Sequence, residues 1–166
     1  MIFLPENKIR LGFTLIEVLI SVFIISLLTG LTIAGYGTFN KKQIVKTAAY
    51  QLAGNLRLAQ QKAISGEKPA GSPGCTGDLQ SWKVFIRSDS YYLVASCSDS
   101  SPSSSPVVYF PPNVTSSISG VEIVEFTVLT GAVSGGEGTY TLTGNFSGTS
   151  YSNTIEITPS GGINVQ

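Results

Sequence analysis

The chain has 166 residues, enough for one globular domain once any special segment is set aside. Only 12% of the residues are charged, about half of the usual quarter, while 42% are hydrophobic and the formal net charge is zero, which excludes a disordered chain and a broadly basic nucleic-acid binder. There is no histidine, so the Ser-His-Asp and Cys-His nucleophile pairs and the usual zinc catalytic sets are excluded and the chain reads as a non-enzyme without a cofactor.

Residues 1–12 read MIFLPENKIRLG, with Lys8 and Arg10. From Val18 to Phe39 there is no charge over 22 residues. That is roughly 33 Å of helix, enough for a bilayer core of about 30 Å and too long for an ordinary secretory signal core. A plain signal anchor leaves Glu17 unexplained. A carboxylate inside a membrane segment costs on the order of 2.5–3.5 kcal/mol and needs a partner. In the uncut chain Lys8 and Arg10 lie two or more turns away. A cut between Gly12 and Phe13 would create an α-ammonium one helical turn from Glu17, beside the positive end of the helix dipole. The same carboxylate could instead meet the ammonium of a neighbouring molecule.

The run GFTLIEVLI, from Gly12 to Ile20, resembles the class III signal of type IV pilins and type II secretion pseudopilins. The resemblance implies that a prepilin peptidase cuts after Gly12 on the cytoplasmic face and methylates the new N-terminus, Phe13. It implies that Glu17 guides the docking of subunits in a filament. It divides the chain into a leader (1–12), a transmembrane and filament-core helix (13–39), an amphipathic helix of the head (40–66) and a β-rich head (67–166). Before assembly the chain would cross the inner membrane once, with its head outside the cytoplasm; afterwards it would lie in a pilus or pseudopilus. Its partners would be the peptidase, other pilin or pseudopilin subunits, the inner-membrane assembly platform and, before assembly, the lipid bilayer. Counting positive charges does not choose the side, because Lys8 and Arg10 face Lys41, Lys42 and Lys46 across the span. The resemblance chooses it.

Gly30, Gly35 and Gly37 lie in the distal half of the span. They either soften the helix or permit close helix packing. Beyond them, Ile44, Ala48, Leu52, Leu56, Ala59 and Ala63 recur at steps of four and three, widened by Val45, Ala49 and Ala53. This predicts an amphipathic helix with one apolar face, ended by the Ser65–Pro69 run. Gly54 costs about 1 kcal/mol there, and a close contact is its expected reason. With the span, it makes one helix of about 50 residues.

The rest reads as β. Period-2 stretches at Trp82–Ile86, Tyr92–Val94, Val107–Tyr109, Val121–Ile123, Phe126–Val128, Tyr140–Leu142, Ile155–Ile157 and Ile163–Val165 are separated by Ser-, Pro-, Asp- and Gly-rich gaps. About seven short strands predict an antiparallel sheet or sandwich with one face on the helix, an α+β fold. The apolar phase slips between Ile123 and Phe126, which predicts a bulge or break near Val124–Glu125. The Ser/Pro run from Cys97 to Pro106 reads as an exposed loop.

Cys75 and Cys97 are the only cysteines. In an oxidising exterior a bridge would close a loop of about 23 residues, worth roughly 3 kcal/mol; two free thiols are the alternative. Two thiols without histidine do not make a metal site. The helix end LRLAQQKAIS and the chain end TIEITPSGGINV resemble, in order, the GspH/FimT group of minor pseudopilins. Some members of that group bind DNA through arginines in the tail; this tail has none, and the body carries seven acids against Lys83 and Arg87, so nucleic acid is not an expected partner. The expected function is a structural, non-catalytic subunit of a type IV pilus or type II secretion pseudopilus, with a minor subunit favoured over a major one. A filament-borne ligand-binding subunit is the alternative, with Lys83, Arg87, Tyr91 and Tyr92 as its grouped candidates.

Overall fold

A computed structural model describes residues 12–69, 75–99 and 103–166, without the side chains of 31–35 and 103. The predicted leader lies outside the described residues except for Gly12. The chain divides into two units, one before Asn40 and one from Asn40 to Gln166.

A single helix, α1, runs Leu15–Ser65 without a break. Thr14 caps it: the Glu17 N–H donates to Thr14 Oγ1 at 3.3 Å. Thr14-Leu15-Ile16-Glu17 thus has the sequence of a capping box, in which the hydroxyl satisfies an otherwise orphaned amide of the first turn. At the other end Gly66, at φ +64°, takes the left-handed position. Glu67 N–H donates to Lys62 O at 3.0 Å and Gly66 N–H to Ala63 O at 3.2 Å, the paired bonds of a Schellman ending.

In the first unit, apolar side chains from Phe13 to Leu28 stand exposed on all sides of the helix. Its hydroxyls turn inward: Ser21, Ser26 and Thr29 donate to the carbonyls of Glu17, Val22 and Ile25 at 2.7–2.8 Å. Among the described residues no helix is long and apolar enough to cross a membrane. The uninterrupted described side chains run from Leu15 to Gly30, roughly 24 Å at 1.5 Å per residue, and residues 31–35 of the predicted span fall outside them.

In the second unit the predicted apolar face of α1 is the core face. Val45, Ala48, Ala49, Leu52, Ala53, Leu56, Ala59 and Ala63 are all buried, with Ile44 at the margin. Five of these are alanines, so sheet side chains can come close to the helix axis. Gly54 is exposed, and nothing lies within 4 Å of where its Cβ would be. The close contact expected for it is absent within the described residues.

The helix packs on antiparallel β-structure, giving an α+β fold. One sheet is built from β1 (Leu79–Arg87), β2 (Ser90–Cys97), β3 (Ser103–Ser104), β4 (Val108–Tyr109), β6 (Val121–Thr127) and β7 (Val133–Gly135), in the order β3-β2-β1-β6-β7 with β4 also on β2. The other has the order β10-β9-β8-β5, from β5 (Val114–Ser116), β8 (Gly138–Phe146), β9 (Thr149–Ile157) and β10 (Ile163–Val165). The β8–β9 hairpin turns on Ser147 and Gly148, both at positive φ, the conformation that two-residue hairpin loops favour.

Among the described residues ten strands stand where about seven were expected, the expected bulge falls one residue along, and other details differ. In β2 the core face holds Tyr91, Leu93 and Ala95, not the phase of Tyr92 and Val94. β6 is one strand with unbroken register against β1; the irregularity sits at Glu125/Phe126, on the β7 side. The slip in apolar phase arises because Val121 and Ile123 face solvent while Val124 and Phe126 face the core. Part of the Ser/Pro run is edge strand: β3 pairs with Val94 and Ala95, and the Leu93 N–H donates to Ser105 Oγ at 2.9 Å.

Two tyrosine hydroxyls are drawn into this core. Tyr91 accepts from Asn55 Nδ2 at 2.9 Å, and burial pushes its pKa up from the ordinary 10.0, offset in part by that bond. Tyr140 donates to Gly136 O at 2.6 Å; burial first, then the charges of Glu122 and Glu137, push it up as well. A phenol whose folded pKa is raised contributes nothing pH-dependent below about pH 10 and loses stability above it, because only the unfolded chain ionises there. Denaturant midpoints are therefore expected to be unaffected by these groups below that pH and to fall above it. Tyr140→Phe should flatten the alkaline fall.

Candidate functional site

The residues singled out for processing lie at the start of α1. Gly12, Phe13 and Thr14 precede the helix in non-helical backbone, and all three are exposed, Phe13 at 80%. The Gly12–Phe13 bond thus sits two residues ahead of Leu15, the first helical residue, in exposed non-helical chain. Glu17 is in the first turn of α1 and is exposed. Its backbone amide is engaged by Thr14. The local signal T-x-x-E explains part of its position and was legible in the sequence; it accounts for the helix start but not for the charge.

In the head, Cys75 and Cys97 form a disulfide with a Cα–Cα distance of 5.7 Å. The bridge is one part of a knot. Asp99 accepts from the Thr76 and Gly77 amides at 2.8 and 2.9 Å and from the Thr76 hydroxyl. The Ser98 N–H donates to Asp78 O, and the Asp78 N–H to Ser98 Oγ, each at 2.9 Å. These bonds tie the start of β1 to the end of β2.

Three polar side chains of α1 anchor the far ends of both sheets. Arg57 Nη2 donates to Ile163 O at 2.7 Å. Gln60 Nε2 donates to Gly131 O at 3.0 Å and to Gly161 O at 2.9 Å, so one amide holds the β6–β7 and β9–β10 turns together. Asn55 reaches Tyr91. Gly161, at φ +88°, leaves the room that Gln60 occupies. Polar residues beside an apolar helical stripe ordinarily read as solvated, so this role was not visible in the sequence.

The four candidate ligand residues do not form one patch. Tyr91 is in the core. On the outer face of the first sheet, Tyr92 stacks on Phe85 with ring centroids 5.0 Å apart, and Arg87 lies 5.3 Å over the Tyr92 ring. Lys83 pairs with Glu125 at 3.4 Å. Among the described residues no group of three or more histidine, cysteine or acidic side chains is placed to hold a metal ion.

Residues 7–33 match the family model of the prokaryotic N-terminal methylation motif. This supports a type IV pilin-like or pseudopilin-like N-terminal segment, the kind that a prepilin peptidase processes. No curated protein and no solved structure matches the chain.

Proposed function

We propose that this chain is a non-catalytic structural subunit of a type IV pilus or a type II secretion pseudopilus, cut after Gly12, methylated on Phe13 and assembled through its N-terminal helix. The observation that carries the reading is the methylation motif over 7–33, with its cleavage bond exposed just ahead of a helix that is apolar on every side. Such a surface is stable only under lipid or under neighbouring subunits. The uncharged run from Val18 to Phe39 has the length to be held in a bilayer before assembly. Inward-bonded hydroxyls fit both surroundings, since neither supplies water to satisfy them.

The order of helix, β-rich head and short final strand supports a minor subunit of the GspH/FimT kind. The commitment of Arg87 to Tyr92 and of Lys83 to Glu125 favours a structural head over one that carries nucleic acid. Mass spectrometry of the mature chain tests the reading. A chain beginning at N-methylated Phe13 is the expected result, and an intact Met1 in membranes and fibres overturns it. Abundance in sheared filaments separates a minor from a major subunit.

A further inference from the structure

The second unit has a small basic cavity that none of these roles uses. It has a volume of about 310 Å³ and is lined by Lys42, Val45 and Lys46 of α1 and by Tyr151, Ser152 and Asn153 of β9. Lys42 and Lys46 are one turn apart on the same helical face. Lys42 is steered over the Tyr151 ring, with Nζ 5.7 Å from its centroid, and Lys46 lies 5.8 Å from that of Tyr50. The lining contains no acid, and among the described residues neither lysine is in an ion pair. Asn153 brings a second peculiarity: its Oδ1 is buried and has no hydrogen-bond partner. An orphaned buried acceptor is costly, and a turn of the carboxamide about χ2, a soft torsion, would present it to the cavity.

We infer that this cavity binds the phosphodiester headgroup of an anionic phospholipid, of the phosphatidylglycerol type. The lysines supply two ammonium groups for the phosphate oxygens. The Ser152 hydroxyl is a further donor, and the headgroup hydroxyl donates to Asn153 Oδ1. An inorganic phosphate shares this chemistry. Lipid is favoured by connectivity: Lys42 follows Phe39, the last residue of the uncharged run, by three residues in sequence, a span of at most about 11 Å of chain. Basic residues just past a membrane-held run are drawn to an anionic leaflet. The inference rests on the membrane-held precursor proposed above. It gives the head a docking point on the bilayer that must be released when the subunit enters a fibre.

Full-length chain in nanodiscs of phosphatidylcholine alone, or with about 30% phosphatidylglycerol, provides the test. The readout is the rate of lysine acylation, residue by residue, by mass spectrometry. Phosphatidylglycerol should slow Lys42 and Lys46 at least about fivefold relative to exposed Lys68, and more than it slows Lys41. Asn153→Asp, nearly isosteric but anionic, should abolish that protection, and Lys46→Gln should abolish it at Lys42. Equal rates in the two discs overturn the inference. So does protection that survives both substitutions, which marks a diffuse surface potential, and so does equal protection by inorganic phosphate in phosphatidylcholine discs, which assigns the site to a free anion. Dihexanoyl-phosphatidylglycerol added to the chain in detergent reads the same lysines without a bilayer. Protection there with no insertion into discs would sustain the site and count against the membrane-held precursor instead.

Discussion

Glu17→Gln is expected to abolish incorporation into filaments while leaving the helix and its membrane insertion intact. The reason lies in the two parts that this residue plays. Its backbone amide closes the helix start on Thr14 Oγ1, and its side chain carries the only charge between Arg10 and Lys41. Glutamine keeps the capping-box chemistry and the length and removes the charge alone. Glu17→Ala keeps that backbone bond, as any substitution but proline would, and removes the carboxylate together with its length. If the charge is what docks a subunit, by meeting the ammonium that cleavage creates on Phe13 of its own or a neighbouring chain, both variants fail in assembly and both still insert. If the residue serves only to start the helix, the glutamine variant assembles as the parent does. The measurements are the amount of each variant in sheared filaments and in the membrane fraction. Wild-type levels of the glutamine variant in filaments would overturn the docking role.

Leu56→Ala is expected to cost about 3–5 kcal/mol of head stability, a large part of the ~5–15 kcal/mol that holds a domain of this kind together. Leu56 is completely buried on the face of α1 that both sheets share. Its neighbours on that face include Ala53 and Ala59, which have no length to fill the cavity left behind. Leu52, equally buried, should behave alike. Leu58 is the control: it lies on the same helix but 44% exposed, and its truncation should cost less than about 1 kcal/mol. Denaturant midpoints of the three variants decide the matter. A Leu58 effect equal to that of Leu56 would mean that the stripe has been assigned to the wrong side.

The helix face could be read from the sequence because its apolar residues follow a 3.6-residue period over about five turns, a pattern no strand reproduces. β1, β8, β9 and β10 were legible for the parallel reason at period 2. β2 was found but misphased: Tyr91, Tyr92, Leu93, Val94 and Ala95 form a continuous apolar run, which offers no alternation to phase a strand. β3, β5 and β7 have two or three residues each and no apolar alternation to mark them, whereas the equally short β4 and β10 coincide with the alternating pairs Val107/Tyr109 and Ile163/Val165. The candidate processing residues stood out because a carboxylate at the head of an apolar run is physically anomalous. The basic cavity did not, since Lys42 and Asn153 are 111 positions apart in sequence and only the β8–β9 hairpin brings the second to the helix.

The double bond of Gln60 to Gly131 and Gly161, joined by that of Arg57 to Ile163, has a mechanical sequel. In the fibre subunit proposed above, load would arrive as traction along the rod. Here the rod grips the tips of both sheets within a single turn, so traction is shared among three attachments at once rather than reaching them in succession. A head fastened this way would resist peeling, a trait that suits the load-bearing part proposed above.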